Sequence, residues 1–343
     1  MIAAHSPDRP SGKLLKVDAN GRIQHLCRTD LVTLFRPGDL VVANDAATLP
    51  ASLLGEHEPT GYPVEIRLAS FVRAADPTRF VAIAFGAGDH RTPTEARPAP
   101  PVLSPGDRLL LGPLVAVVER LLDHPRLLEL QFRGDRPEIF AGLARHGHPI
   151  QYAHVPAPLA LWDVWTNLAS KPFAFEAPSA GFALDWGTLS TWKQRGIELA
   201  TITHAAGISS TGDPDLDRRL PFNEPYIIPE YTVNAIAETK ERDRRVIAIG
   251  TTVVRALESA AATHGTVAAG HGVARGRIGP ETPLRVIDTV LTGMHEPGES
   301  HFELLRAFAA DPVLRRAHRT ATERRYRTHE FGDSLLIERR RAA

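Results

Sequence analysis

The stretch VIAIGTTVVRALE, residues 246–258, sets an apolar strand directly before the start of a helix. Gly250 allows the backbone to turn sharply, and Thr251 or Thr252 can cap the helix by accepting a bond from its free N–H groups. Free N–H groups at a helix start also attract an anion such as a carboxylate or phosphate, and Arg255, one turn further on, adds positive charge. A capped junction without a ligand is the alternative interpretation. Walker-loop and G-x-G-x-x-G nucleotide motifs are not present in this stretch.

Strands and helices alternate around this junction. Apolar runs bounded by turn residues predict strands at 40–43, 197–203, 245–249, 284–291 and 334–338. Apolar stripes behind start residues predict helices at 185–196, from Pro229, at 251–263, from a capping box at 300–303, and from 311. Such alternation indicates a layered α/β main domain.

Two other parts of the chain have antiparallel patterns. Apolar runs flank Asn20-Gly21 within residues 13–26, which predicts a hairpin because this pair tolerates positive φ angles. Later, short β-like runs follow one another at 64–71, 80–85, 108–111, 114–122 and 127–132, before a predicted helix at 137–145. Closely spaced strands without intervening helices indicate a small antiparallel β-barrel. We therefore expect a main α/β domain, 1–59 and 150–343, with an inserted barrel at 60–149.

The composition is that of a globular protein. Of 343 residues, 43% are hydrophobic, which is too many for a mostly disordered chain, and 40 basic side chains balance 40 acidic ones. Zero net charge disfavours a dedicated basic nucleic-acid-binding protein. No run approaches the roughly 18–20 apolar residues of a membrane span, and the start of the chain lacks a secretory signal. With a single cysteine, Cys27, we expect a cytoplasmic protein, and we expect it to be a monomer.

Polar and small residues near strand ends are candidates for binding. Asn44 and Asp45 follow an apolar run, and ligands of α/β proteins often lie beyond the carboxyl ends of strands. Asp45 can accept a hydrogen bond from a ribose or an amine, and an Asx-type turn is the alternative. In PSAG, residues 178–181, Ser179 and Gly181 would let a ligand approach the backbone closely.

Three titratable residues are candidates for proton transfer. His204 and His295 have side chains that titrate near neutral pH, so each can serve as acid or base. Glu224 is a candidate base. Structural histidines and a solvated loop acid are the alternatives.

Two clusters of basic side chains have weaker implications. His146, His148 and His154 lie close in sequence, but no further ligand stands at a recognisable spacing, so we predict no metal. Residues 315–341 hold nine arginines against four acids, which would suit RNA phosphates. A solvated helix face is the alternative for this segment.

Motifs in order along residues 13–338 resemble the S-adenosylmethionine:tRNA ribosyltransferase-isomerase family of queuosine biosynthesis. They are LVTLFRPGDL at 31–40, Asn44-Asp45, LPA at 49–51, PSAG at 178–181, GTTVVRALE at 250–258, Thr292 with His295 and Pro297, and FGD at 331–333. The resemblance implies an α/β domain with an inserted β-barrel and a cleft between them. It implies transfer of the ribosyl group of S-adenosylmethionine onto the aminomethyl of a 7-deazaguanine in tRNA, with isomerisation and loss of adenine and methionine. It implies no metal and no prosthetic group, with S-adenosylmethionine as co-substrate.

The resemblance and the chemistry together suggest roles for the candidate residues. For proton transfer, we expect the base to be Glu224 or His204, and His295 to be a proton donor or a ribose contact. Asn44 and Asp45 are expected to contact the ribose or the acceptor amine. The expected methionine anchor consists of Thr251, Thr252 and Arg255, and further substrate contacts are expected at Ser179, Gly181 and Gly250.

The chain also departs from the family motifs at pocket positions. Where the family has Asn-Asp-Thr-Arg, this chain has alanines at 46 and 47, and the histidine of Pro-Thr-Ala-Gly-Leu-His-Phe is Ala183. Two alternative hypotheses follow. One is a non-catalytic paralogue that binds S-adenosylmethionine or RNA, and the other is a transferase that acts on a small-molecule acceptor.

Overall fold

A nine-stranded mixed sheet forms the centre of the main domain in the computed structural model, which describes residues 1–4 and 12–340. Its strands, in spatial order, are Gly270–Ala274, Glu224–Ile228, Glu198–His204, Leu40–Asn44, Val246–Ile249, Thr289–Gly293, Ser334–Glu338, Lys13–Val17 and Ile23–Cys27. The four strands at its middle, from Glu198–His204 to Thr289–Gly293, are parallel to one another. Their carboxyl ends therefore meet at one edge of the sheet.

Alternate residues of the central strands face opposite sides, as the pleat of a strand requires. Val42 and Ala248 face a core that contains Leu257 of the helix Thr251–His264. Their neighbours in sequence face a second core around Trp192, which belongs to the helix Trp186–Gln194. Both faces are covered, which is why these strands are continuous apolar runs. The predicted layered α/β architecture is confirmed.

Helices of very different length surround the sheet and barrel. The α-helices are Leu31–Leu34, Arg136–His146, Leu161–Val164, Trp186–Gln194, Pro214–Asp217, Glu230–Glu241, Thr251–His264, Ser300–Leu305 and Asp311–Glu323. Short 3₁₀ turns occur at Arg28–Asp30, Thr94–Ala96 and Ser179–Ala183. Two parallel strand pairs complete the fold, Ile2–Ala3 with Arg327–Thr328 and Ala46–Thr48 with Lys171–Ala174. Within the described residues, no helix has both the length and the apolar character to span a bilayer.

Six antiparallel strands close into a barrel, as predicted. In order around the barrel they are Leu114–Leu121, Leu127–Phe132, Asp76–Phe85, Tyr62–Arg73, Ser52–His57 and Arg108–Leu111. The sequence analysis did not predict the strand Ser52–His57. Its glycine, Gly55, interrupts the apolar pattern because a Cβ there would collide with the backbone oxygen of Leu110. This strand precedes residue 60, and the domain boundaries at 60 and 149 stay predictions.

Local sequence patterns predicted several elements well. The hairpin is present, with Lys13–Val17 antiparallel to Ile23–Cys27. The helix predicted at 137–145 is Arg136–His146, and Asp135 caps it by accepting from Glu138 N. Each of these patterns involves residues only a few positions apart.

Two predicted helix caps were wrong. Gly250 itself is the cap of the helix Thr251–His264, at φ +96°, and no side chain caps it, so neither threonine has that role. The helix Ser300–Leu305 is preceded by Glu299, and the Glu303 carboxylate binds Arg306 at 2.7 Å instead of forming a capping box. The first helix begins at residue 251, as predicted, and the second begins at Ser300, the residue expected to cap it.

The strand predicted at 284–291 was also placed wrongly, since the observed strand is Thr289–Gly293. The buried carboxylate of Glu258 explains the difference. It accepts backbone N–H groups of Arg285 at 2.7 Å, Val286 at 3.0 Å and Ile287 at 2.9 Å. These donors are thus bound to a side chain rather than to a neighbouring strand.

We predict that Glu258→Gln destabilises the fold by about 1–3 kcal/mol, because an amide N–H₂ would face one of these buried donors and leave it unpaired. Urea unfolding followed by circular dichroism measures the change. Glu241→Gln, at the exposed end of the helix Glu230–Glu241, is the matched control and should change stability by less than about 0.5 kcal/mol. Equal stability of the two variants would contradict the role assigned to Glu258.

Candidate active site

A cavity of about 700 Å³ opens at the carboxyl ends of the central strands. Gly250 and Thr292, at the ends of two of these strands, line it from the main domain. Thr94, in a turn between barrel strands, lines it from the barrel side. The cavity therefore lies where the sheet and the barrel meet, and its volume suits a small-molecule ligand.

The start of the helix Thr251–His264 forms one wall of this cavity. Gly250, Thr251, Thr252 and the neighbouring Ser179 all line it. The first N–H groups of an α-helix have no partner within that helix, so they are available to an anion. The hydroxyl of Thr252 is buried and has no hydrogen-bond partner among the described residues. This wall offers donors to a negatively charged ligand group.

A buried ion pair forms a second part of the wall. Arg255 and Glu224 are each 6% exposed and line the cavity, and Arg255 Nε donates to Glu224 Oε2 at 2.8 Å. Glu224 Oε1 accepts the backbone N–H of Gly207 at 2.8 Å. Burial opposes ionisation, but the Arg255 guanidinium and these hydrogen bonds hold the pKa of Glu224 below its ordinary value. Glu224 is therefore a carboxylate at neutral pH.

Arg255 has few donors left for a ligand. Its two terminal nitrogens donate to backbone oxygens, to Gly276 from Nη1 and to Phe222 and Ala274 from Nη2, at 2.7–3.3 Å. The guanidinium therefore fixes Glu224 and the loops around it. Direct contact with an anion falls instead to the adjacent helix start.

His204 lies behind the wall rather than in it. It is fully buried, does not line the cavity, and has its Nε2 3.5 Å from Glu224 Oε2. Neither of its ring nitrogens has a hydrogen-bond partner among the described residues. Burial lowers the pKa of His204 to about 4, so the ring is neutral at pH 7. Its position makes it a neighbour of Glu224 rather than a group that a ligand reaches.

Three other predicted binding residues also lie outside the cavity lining. Asn44 is buried, accepts from Ala46 N at 3.1 Å and bonds both backbone groups of His204. The first of these bonds is an Asx turn, the alternative considered for this pair. Asp45 accepts from Thr203 Oγ1 at 2.6 Å. Gly181, the third, packs against a neighbouring threonine side chain.

His295 lines the cavity within a group of polar side chains, of which the sequence motifs had connected only Thr292 with it. Its Nε2 is 2.9 Å from Thr292 Oγ1, its Nδ1 is 3.7 Å from Glu299, and its ring stacks on His301 at 4.8 Å. Burial lowers the pKa of His301 to about 4. Although burial opposes ionisation, His295 lowers the pKa of Glu299. The group combines a carboxylate with imidazole rings at the cavity surface.

Glu176 is a cavity residue that the sequence analysis missed. Its Oε1 accepts the Tyr152 hydroxyl at 2.5 Å and the Ser209 N–H at 3.1 Å. Burial raises the pKa of Glu176 to about 7. Glu176 stands two residues before the PSAG motif, so proximity to that motif was the one available indication.

His154, His329 and Glu330 form a further cluster at the cavity, with potential ligand atoms within 4.8 Å of one another. His154 Nε2 is 3.1 Å from Glu330 Oε2, and the two imidazole rings stack at 4.2 Å with 22° between their planes. An imidazole nitrogen binds a metal that lies in the plane of its ring. Because the planes of the stacked His154 and His329 rings are nearly parallel, the ring nitrogens do not converge on one metal position. Of the three histidines considered in the sequence analysis, His154 is in this cluster, whereas His146 bonds the backbone oxygen of Leu54.

Comparison with known proteins relates the whole chain to one family. The sequence model of the family described as queuosine biosynthesis protein matches residues 1–337. The S-adenosylmethionine:tRNA ribosyltransferase-isomerase of Sorangium cellulosum is 35% identical and aligns with 98% of this chain and 95% of its own. A protein of the same name from Thermus thermophilus is 34% identical, with 96% and 93% covered.

A solved structure supports the fold. The crystal structure of an S-adenosylmethionine tRNA ribosyltransferase from Thermotoga maritima has a TM-score of 0.52 and 23% identity, covering 98% of this chain and 96% of that one. The expected α/β domain with an inserted β-barrel is confirmed. Because the family model and the relatives span nearly the full length, the chain belongs to the queuosine biosynthesis protein family.

Proposed function

We propose that this chain is an S-adenosylmethionine:tRNA ribosyltransferase-isomerase. It moves and isomerises the ribosyl group of S-adenosylmethionine onto a 7-aminomethyl-7-deazaguanine in tRNA. The observation that carries the proposal is that one cavity, in a chain related to such enzymes along its length, is lined by both a helix start and an ionised carboxylate. S-adenosylmethionine, the co-substrate, carries a carboxylate, an ammonium group and a sulfonium cation, and these two features suit the carboxylate and the sulfonium.

The carboxylate and the sulfonium of the co-substrate have different partners in this proposal. The methionine carboxylate binds the N–H groups at Thr251 and Thr252, where the helix dipole also favours negative charge. The sulfonium lies near the Glu224 carboxylate, which Arg255 holds in place. Arg255 therefore contributes to the anchor by positioning Glu224.

Glu224 is also the proposed base. A sulfonium makes the adjacent carbon acidic, and Glu224 lines the cavity as a carboxylate that can accept the proton. His204 packs behind Glu224, and Asn44 bonds both backbone groups of His204. His295 is positioned by Thr292 to contact a ribose hydroxyl.

We predict that the wild-type protein releases adenine from S-adenosylmethionine in the presence of acceptor tRNA, and that Glu224→Gln lowers kcat by about 100-fold or more. The amide keeps a hydrogen-bond acceptor for Gly207 N–H but cannot take up a proton at neutral pH. Chromatographic measurement of adenine gives the rate, and thermal unfolding shows whether the variant remains folded.

Glu198→Gln, an exposed change on the strand Glu198–His204, is the matched control and should keep the wild-type rate. A Glu224→Gln variant with unchanged kcat would remove Glu224 as the base. Binding of S-adenosylmethionine by the wild-type protein without adenine release under any acceptor would instead favour the non-catalytic paralogue.

For tRNA, we propose that the exposed face of the helix Asp311–Glu323 contacts phosphates. Arg315 and Arg319 are four residues apart and both exposed, so they lie on one face. Arg315 also pairs with Asp311 on the same helix face. Elsewhere in the segment, Arg316 donates to a backbone oxygen and Arg339 to Leu284 O. The last arginine of the predicted basic segment, 341, lies outside the described residues.

The double variant Arg315→Gln/Arg319→Gln should weaken tRNA binding and make the dependence of log K on log salt less steep by about 2, because two phosphate contacts are lost. Filter binding at several salt concentrations measures the slope. Arg242→Gln, an exposed arginine at the end of another helix, is the control. An unchanged slope would identify a solvated helix face, and no binding of tRNA by the wild-type protein would favour a small-molecule acceptor.

A further inference from the structure

Glu176 holds its carboxyl group in an unsymmetrical environment at the cavity wall. Oε1 accepts two hydrogen bonds, from the Tyr152 hydroxyl at 2.5 Å and from Ser209 N–H at 3.1 Å. Among the described residues Oε2 has no hydrogen-bond partner. It is not fully buried, however, and keeps some accessible surface. Oε2 is therefore the oxygen that the cavity leaves open to a ligand.

This asymmetry decides where a proton resides. Because Oε1 already faces two donors, a proton carried by the carboxyl group sits on Oε2. The Tyr152 hydroxyl is itself held by Ser210 N–H at 3.1 Å. Burial raises the pKa of Tyr152, so its hydroxyl stays a donor through the neutral range. The network thus fixes the orientation of the acid toward the cavity.

The charges around Glu176 come from several elements. Glu330 is paired with His154, whose ring stacks on Tyr152 at 6.1 Å, and the Arg67 guanidinium lies 5.6 Å from the Tyr152 ring. Asp217, from the helix Pro214–Asp217, bonds the neighbouring loop at Thr211. Burial raises the pKa of Glu176 to about 7, with a further contribution from Glu330 against the opposing hydrogen bonds. Glu176 therefore retains its proton to a higher pH than an ordinary glutamate does.

We propose that Glu176 is the general acid of the ribosyl transfer and protonates the departing adenine from Oε2. In this step the bond between ribose C1′ and adenine N9 breaks, and both bonding electrons leave with adenine. The Oε2 proton binds an adenine nitrogen, so adenine leaves neutral and Glu176 becomes a carboxylate. The positive charge left at C1′ is shared with the ribose ring oxygen, and the total charge is unchanged. The inference rests on the proposed function.

The different protonation states of the two carboxyl groups support this assignment. Glu224 is held ionised by Arg255 and can only accept a proton, whereas Glu176 retains one. Environments that push two carboxyl pKa values apart are the usual way in which a site obtains both a base and an acid. His295, which the sequence analysis considered as the proton donor, then remains the ribose contact.

The test is adenine release by Glu176→Gln over a range of pH. The wild-type kcat should fall as the pH rises through about 7, because Glu176 loses the proton that it donates. Glu176→Gln should lower kcat at pH 7 by about 100-fold or more and abolish this alkaline limb. Its KM for S-adenosylmethionine should stay within about threefold, since the lost interaction acts in the transition state.

Tyr152→Phe and Glu198→Gln separate this role from a structural one. Tyr152→Phe removes a hydrogen bond that favours the carboxylate, so the alkaline limb should move to higher pH. Glu198→Gln should leave both kcat and the pH profile unchanged. Carbon-13 NMR of labelled glutamate, with the Glu176 signal assigned by its loss in Glu176→Gln, should show a midpoint near 7.

The possible failures are distinguishable. Adenine release by the wild-type protein, together with an unchanged kcat and pH limb in Glu176→Gln, overturns the general-acid role and leaves the proposed function standing. An NMR midpoint below about 5, an ordinary glutamate value, also overturns the role. Absence of adenine release by the wild-type protein overturns the proposed function and this step together.

Discussion

The buried ion pair between Arg255 and Glu224 is the interaction on which the cavity depends. It ties the helix Thr251–His264 to the strand Glu224–Ile228, and the same guanidinium bonds backbone oxygens of two adjoining loops. Removal of one partner of a buried pair typically costs about 3–5 kcal/mol, since the other charge stays buried without compensation. The ion pair thus stabilises the cavity wall and also keeps Glu224, the proposed base, ionised.

Surroundings, rather than residue type, distinguish the two acidic groups of the site. Glu224 faces a guanidinium and a backbone N–H group, and both stabilise its charge. Glu176 faces a phenol and a backbone N–H group, with another acid, Glu330, nearby, so burial dominates its ionisation. The pKa values of two glutamates in one cavity thus differ because Arg255 lies beside Glu224 and no such cation is bonded to Glu176 among the described residues.

Sequence patterns predicted those features that depend on neighbours in the chain. The turn at Gly250 and the hairpin at Asn20-Gly21 follow from backbone freedom at single positions. Glu176 could not be recognised in this way, because its partners stand 24 and 33 residues away and are brought near only by folding. The displaced strand near Thr289 has the same origin, since the side chain that binds the preceding segment belongs to a distant helix. The site was thus predictable as a region, whereas the protonation states of its members required the tertiary structure.

Closure of the barrel has a consequence for how the protein behaves in a crowded solution. Every barrel strand has a hydrogen-bonded neighbour on both sides, so none presents an open row of backbone groups to another molecule. The nine-stranded sheet, in contrast, ends in two strands, Gly270–Ala274 and Ile23–Cys27, each with a neighbour on one side only. Intermolecular β-sheet extension, the first step of many aggregation reactions, would therefore start from the main domain and not from the inserted one.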